Sequence, residues 1–207
     1  MASCLTFAEG YGGILEGQGI NSAYVGKLQW IYTPGVWGIL AETQTGDPAG
    51  GILLYVAPQV GDMPFEDIVG KEKMGFWFNQ DLLREDCGEL FAVWNSKKTA
   101  GMGLSYVLLK AGVALSSHLG LQRTYYLVSE YNLRLVQRLG LEVVKKDGID
   151  VHFAFDHVQP VTRTYLCAFE HSKMESIPSI QDLAIKGTMI KNENVLGIDL
   201  EVDYRLF

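Results

Sequence analysis

Cysteine is scarce and scattered in this chain. The 207 residues hold three, Cys4, Cys87 and Cys167. The number is odd and no Cys-x-x-Cys pair exists, so neither a disulfide framework nor a zinc site is implied. His118, His152, His157 and His171 show no metal-ligand spacing, and no metal is expected. Positive charge is also short, with 17 Lys and Arg against 24 Asp and Glu and a formal charge of −7. That balance argues against nucleic acid as a partner and lends nothing to an acidic one, so any grip on an anion must be local. No basic segment followed by an apolar one opens the chain, and no apolar run approaches membrane-spanning length. A cytoplasmic protein without a membrane span is expected. Hydrophobic residues make up 48% and charged ones 20%, which with this length suits one domain with an extension.

What the chain does have is a strand, a glycine turn and a helix in immediate succession. Phe91 to Ser105 reads FAVWNSKKTAGMGLS. The apolar run Leu90 to Trp94 suits a strand, and Lys97 and Lys98 precede Gly101-Met102-Gly103. Leu104, Val107, Leu108, Ala111, Leu115 and Leu119 then follow the three-and-four spacing of one buried helical face, which Gly120 ends. Such a helix start is suited to an anion. Its first N–H groups have no partner, its dipole favours negative charge, and glycine keeps Cβ atoms out of the way. A Walker loop would need Gly-Lys-Ser/Thr, but Leu104 and Ser105 follow Gly103. A dinucleotide fingerprint would need a third glycine where Tyr106 stands.

On either side the pattern continues. Val36–Glu42 and Gly51–Val56 are strand-like runs around the turn residues Thr43 to Pro48, which predicts an antiparallel hairpin. Residues 122–128 read as a buried parallel strand. Ser129 can cap a helix from Tyr131 to Leu139 with Leu135, Val136 and Leu139 inward, Gly140 ends it, and residues 141–145 begin another strand. Residues 1–30 are glycine-rich, and 8–19 are expected as loop with a short helix at most. Tyr24–Tyr32 is aromatic and lines a pocket or covers the core. Residues 57–87 form a long connection with room for short helices at 62–68 and 79–85, either an insertion or a carrier of specificity. Residues 151–156 and 163–170 are strand-like. In the tail, Leu196, Ile198, Leu200, Val202, Tyr204 and Leu206 alternate with polar residues and glycine. That period of two predicts a strand that adds to a sheet edge, makes a homodimer contact, or closes a hairpin on residues 187–190.

Lys98-Thr99-Ala100-Gly101-Met102-Gly103 resembles the Arg/Gln-x-x-Gly-x-Gly/Ala loop with which the GNAT acyltransferase superfamily grips the pyrophosphate of coenzyme A. The order of elements from Glu89 to about Lys145 is similar to that superfamily's core. Three side chains depart from its pattern: Ser129 stands for Asn, Leu141 for Phe after Gly140, and Val136 for Tyr. The resemblance implies an α/β (α+β) fold, with a mixed, mostly antiparallel central sheet and flanking helices, to which the alternating tail adds an extra C-terminal strand. It implies a single domain with core motifs over about 34–170 and an extension over 171–207. It also implies acyl transfer from acetyl-CoA or a longer acyl-CoA, as co-substrate, to an amine, usually of a small molecule or amino acid. Main-chain groups of Ala92, Val93 and Trp94 would pair with the pantetheine arm. Lys98, Thr99, Ala100, Gly101, Met102, Gly103 and Leu104 would take the pyrophosphate, and Ser129 would reach the coenzyme.

For catalysis, the resemblance implies a glutamate on or next to the strand before the loop as general base. Glu89 is the candidate, since partial burial beside the apolar run would raise its pKa, although a strand-end charge facing water fits the same place; Glu42 is the second choice. The proton donor is harder to place because Val136 has no proton to give. Tyr131 is the substitute chosen, with Tyr125 and Tyr126 as alternatives. Cys87 and Cys167 look inert. A further, fainter similarity runs to long-chain N-acyl amino acid synthases of the same superfamily. Two other readings stand beside this one: a non-catalytic acyl-CoA sensor, and a nucleotide-binding domain of another fold.

Overall fold

The computed structural model describes residues 2–17, 33–56, 63–70, 86–154, 163–176, 188–192 and 195–199. The elements are α1 (Ala2–Gly17), β1 (Val36–Glu42), β2 (Pro48–Val56), α2 (Pro64–Val69), β3 (Cys87–Asn95), α3 (Leu104–His118) and β4 (Arg123–Ser129). A 3-10 turn (Glu130–Asn132) leads into α4 (Leu133–Gln137). Then come β5 (Glu142–Val143), β6 (Lys145–Lys146), β7 (Ile149–Asp150), β8 (His152–Ala154), β9 (Arg163–Glu170), β10 (Thr188–Asn192) and β11 (Val195–Asp199). Seven strands form one sheet in the order β1-β2-β3-β4-β9-β5, with β8 also on β9. Among the described residues only the β3–β4 pair is parallel. The expected mixed, mostly antiparallel sheet with flanking helices is therefore the one observed. Among the described residues no helix is long and apolar enough to cross a membrane.

Two faces of the sheet are buried separately. On one lies α3, whose Leu104, Leu108, Leu109 and Val113 pack with Ile52, Leu54 and Leu90. Burying a leucine of this kind is worth about 1.5–3 kcal/mol. On the other face Phe65 of α2 packs with Tyr55, Tyr125 and Leu166. Beside it, α1 sets Phe7 against Leu53 and Trp94.

The N-terminal helix corrects the expectation of a loop. Its glycines weaken it as an isolated helix. Phe7, Tyr11 and Ile14, however, fall at i, i+4 and i+7 and all pack on the sheet. Tertiary burial outweighs propensity here, and Gly10 allows close approach, since a Cβ there would lie 2.2 Å from the Trp94 ring.

Other expectations shift in detail. The short helix foreseen at 62–68 is α2, and the foreseen antiparallel β1–β2 hairpin forms, with β2 starting at Pro48 rather than Gly51. Residues 24–32 and 79–85 lie outside the described residues. The helix foreseen from Tyr131 is split into a 3-10 turn and the five-residue α4. Ser129, foreseen as its cap, makes no side-chain capping bond; its hydroxyl instead receives the Asn132 amide at 3.4 Å. Val136 and Leu139 point inward as expected, and Leu135 is half-buried. Residues 141–145 divide between β5, on β9, and β6, which pairs with β7 in a small sheet of its own. The tail strand β11 pairs antiparallel with β10, Asn192 opposite Val195, in a two-stranded sheet separate from the main one. The hairpin is thus the arrangement it adopts within the chain; residues 200–207 lie outside the described residues.

Candidate active site

The two parallel strands at the centre of the sheet separate halfway along. Their ladder runs from Cys87–Arg123 to Leu90–Tyr126 and stops. Beyond it β3 stays paired with β2 as far as Asn95, and β4 stays paired with β9 as far as Ser129. Each half of the sheet is thus complete, and a slot opens between them at the C-terminal ends of the parallel strands. In open α/β sheets that is where ligands bind.

A β-bulge causes the separation. Leu53 faces Phe91 and Gly51 faces Trp94, so Ile52 alone stands opposite Ala92 and Val93. Ala92 sits at φ 51°, a left-handed conformation that costs an alanine about 1–2 kcal/mol. The extra residue bends β3 away from β4 and takes a peptide group out of the β2 ladder. It also reverses which side chains face which way. Before the bulge Leu90 packs toward α3 while Cys87 packs on the opposite face; after it Val93 packs toward α3 and Trp94 toward α1. Glu89 and Trp94 therefore share a face. Ala92, Val93 and Trp94, foreseen as main-chain partners of the coenzyme arm, lie on the slot edge of β3.

At the slot's open end lies the loop Ser96–Gly103. Gly101 and Gly103 adopt φ 79° and 78°, and a Cβ at either would meet nothing within 4 Å. The N–H groups of Gly101, Gly103 and Leu104 donate to no backbone acceptor among the described residues. Left-handed glycines alternating with other residues ahead of a 15-residue helix make a concave nest of donors. The loop is braced from beneath. Thr99 donates its hydroxyl to the Ala49 carbonyl at 2.7 Å, the Ser96 N–H donates to the same carbonyl at 2.7 Å, and the Asn95 amide donates to Ser105 Oγ at 2.8 Å. The Thr99 side chain thus faces the protein, where it holds the loop in place. Lys98 is largely exposed, with its Nζ 3.5 Å from Asp47 in the β1–β2 turn. Ala100 and Met102 are exposed, and Leu104 turns its side chain into the core. Across the slot Ser129, half-buried, ends β4.

Glu89 lies on β3 three residues before the bulge and is only 1% exposed. Its Oε2 accepts the Phe65 N–H at 2.8 Å, at the N-terminus of α2. Burial pushes its carboxyl well above the usual carboxylate range. The Phe65 N–H pulls the other way and the nearby Glu66 adds to the rise. A carboxylate held above its ordinary range is a stronger base than an exposed one, which suits a proton acceptor.

Of the tyrosines considered as proton donors, Tyr125 is fully buried beside Phe65 and accepts a bond from Arg123 at 3.3 Å. Tyr126 is raised to about 12 by burial. Tyr131 is 76% exposed, in the turn that follows the slot-lining end of β4. Val136 is fully buried. Glu42 is exposed at the C-terminal end of β1, two strands from the slot. Cys87 and Cys167 are buried, the latter raised to about 12 by burial. His171 is held between Ser116 and Thr124 and lowered to about 4 by burial. Among the described residues no group of side chains could hold a metal ion.

Two contributors were missed from the sequence. The Phe65 N–H that holds Glu89 lies 24 residues away along the chain. The bulge at Ala92 has no residue signature, because alanine does not advertise positive φ.

The mixed, mostly antiparallel sheet with its flanking helices is the fold expected from the resemblance to the GNAT acyltransferases. No family model and no curated protein matches the sequence. Among solved structures, the chain is similar to FeeM, an N-acyl amino acid synthase from uncultured soil microbes. The TM-score is 0.56 at 11% identity, over 85% of this chain and 93% of that one. A Lactobacillus plantarum protein assigned to the N-acetyltransferases gives 0.55 at 14% identity, over 82% and 91%. The spermidine/spermine N-acetyltransferase SpeG of Vibrio cholerae gives 0.50 at 13%, over 76% and 81%.

Proposed function

We propose that this protein is an N-acyltransferase that moves an acyl group from acyl-CoA to an amine of a small molecule or amino acid. The observation that carries this reading is the bulge-driven slot between β3 and β4 ending on the glycine nest of Gly101 and Gly103. A slot with unpaired strand edges suits an arm bearing amides, and a nest with free N–H groups suits a pyrophosphate. From Asn95 to Ala92 is three residues, about 10 Å of strand, within the reach of an extended pantetheine arm.

In this reading the loop from Lys98 to Leu104 holds the pyrophosphate, with Ser129 contacting the coenzyme from the opposite wall. The slot edge of Ala92, Val93 and Trp94 aligns the arm. A peptide N–H freed by the bulge meets the oxygen of the thioester as it becomes an oxyanion. Glu89 takes a proton from the attacking amine, directly or through a water, so that the C–N bond forms as the C–S bond breaks. Tyr131, at the slot's open end, returns a proton to the leaving thiolate.

A second reading, a non-catalytic acyl-CoA sensor, is favoured by the fully buried Val136 and by the engagement of Glu89 at the α2 N-terminus. One experiment separates the two. Parent and Glu89→Gln proteins are titrated with acetyl-CoA by calorimetry, and thiol release is followed over a panel of amines and amino acids. Retained binding with activity lost in the variant supports catalysis. Binding without thiol release from the parent on any amine supports sensing. No binding of CoA or acetyl-CoA by folded parent refutes both.

A further inference from the structure

We infer that Trp94 restricts the donor to short acyl groups by filling the space into which a longer chain would run. This rests on the acyl-CoA reading above. The Trp94 side chain is 3% exposed and meets Phe7 edge-on, ring centroids 5.8 Å apart and planes at 90°. Two glycines close on it. A Cβ on Gly10 would lie 2.2 Å from its ring, and one on Gly51 would lie 2.8 Å from its Nε1. Helix α1 and strand β2 thus grip the indole from both sides, at distances that only glycine allows. The indole N–H is buried with no acceptor among the described residues, so no polar bond fixes the ring. Among the described residues packing alone holds it, and its donor is unsatisfied.

The position of this plug gives it a role. A thioester carbon held beside the bulge has its oxygen on the freed peptide and its sulfur leading back along the slot to the glycine nest. The acyl chain must leave by a third direction. Toward α3 the way is closed by the packed cluster of Leu90, Leu104 and Leu108. What remains is the face shared by Glu89 and the acceptor amine, and there Trp94 and Phe7 stand next to Ala92. An acetyl group needs only the immediate surroundings of the bulge. A chain of eight carbons needs the volume of the indole.

Calorimetric titration with CoA, acetyl-CoA and octanoyl-CoA tests this without knowledge of the acceptor. The parent is expected to bind octanoyl-CoA at least tenfold more weakly than acetyl-CoA. In Trp94→Ala, the affinity for octanoyl-CoA relative to that variant's own affinity for CoA should rise at least tenfold. Trp94→Leu, with a smaller cavity and circular dichroism to check its fold, should rise by less. The inference is overturned if the parent binds octanoyl-CoA as tightly as acetyl-CoA, a comparison that needs no variant. It is equally overturned if the ratio stays fixed in folded Trp94 variants. CoA binding without discrimination by length removes this inference alone, whereas a folded parent that binds no CoA species removes the acyl-CoA reading with it.

Discussion

Replacing Gly103 by alanine separates what the glycine nest does for ligands from what it does for the fold. Gly103 has φ 78° and open space where a Cβ would go, so the substitution costs backbone strain and no clash. For alanine that strain is about 1–2 kcal/mol, a fall in Tm of about 2–8 °C in a chain of this size. Gly120, at the end of α3, provides a matched control, with φ 79° and equally open space. Gly120→Ala should lose the same stability. The two variants should differ in binding. If the loop relaxes toward negative φ at residue 103, its N–H groups turn away from the anion. One charge-assisted hydrogen bond is worth about 1.5–3 kcal/mol, which is about 10- to 100-fold in Kd. Calorimetric titration with CoA at fixed salt should therefore find Gly103→Ala weakened by that factor and Gly120→Ala unchanged. Equal CoA affinity in the two variants, at equal Tm loss, would refute the assignment of the nest as the pyrophosphate site.

Three further predictions concern the same slot. Glu89→Gln should lower kcat/KM by about 100-fold or more and remove the alkaline-going rise of the parent's rate, which follows ionisation of the raised carboxyl. The stability effect has the opposite slope. The folded state keeps a proton that the unfolded chain releases near 4.5, so parent stability is full below that pH and is lost as pH rises toward the raised value. Tm against pH should fall more steeply for the parent than for Glu89→Gln, and parallel curves would contradict the burial of this carboxyl. Thr99→Val removes the hydroxyl that ties the loop to Ala49; KM for acetyl-CoA should rise several-fold with kcat little changed, and an equal fall of kcat with unchanged KM would place Thr99 elsewhere in the reaction. Tyr131→Phe should lower kcat about tenfold or more if its hydroxyl supplies the proton, and an unaltered kcat would assign that proton to water at the open end of the slot.

Much of this was legible from local pattern. The Leu104–Leu119 stripe, the turn at Thr43–Pro48 and the glycines at 101, 103, 120 and 140 state their elements in short-range terms. Helical spacing and turn chemistry are local, and so is the preference of positive φ for glycine. Glu89 was expected to be partly buried because it stands beside an apolar run, and it is buried. The N-terminal helix was missed although Phe7, Tyr11 and Ile14 carried its spacing, because four glycines among its 16 residues argue against a helix when its packing partner is not in view. Ser129 was given a capping role that belongs to its residue type, while its place at the end of β4 leaves the hydroxyl to Asn132.

Local pattern carried the β1–β2 hairpin, the buried stripe of α3 and the anion-suited loop ahead of it, because each depends on residues within a few positions of one another. The tertiary structure alone decided that β3 and β4 part after Leu90 and Tyr126. A bulge is a mismatch of register between strands, set by how Gly51 and Leu53 align with Trp94 and Phe91, and no single strand encodes it. It alone decided too that Trp94 faces α1, where a one-residue slip moved it from one side of the sheet to the other. And it decided that Glu89 rests on the Phe65 N–H, a contact between segments 24 residues apart that folding brings together.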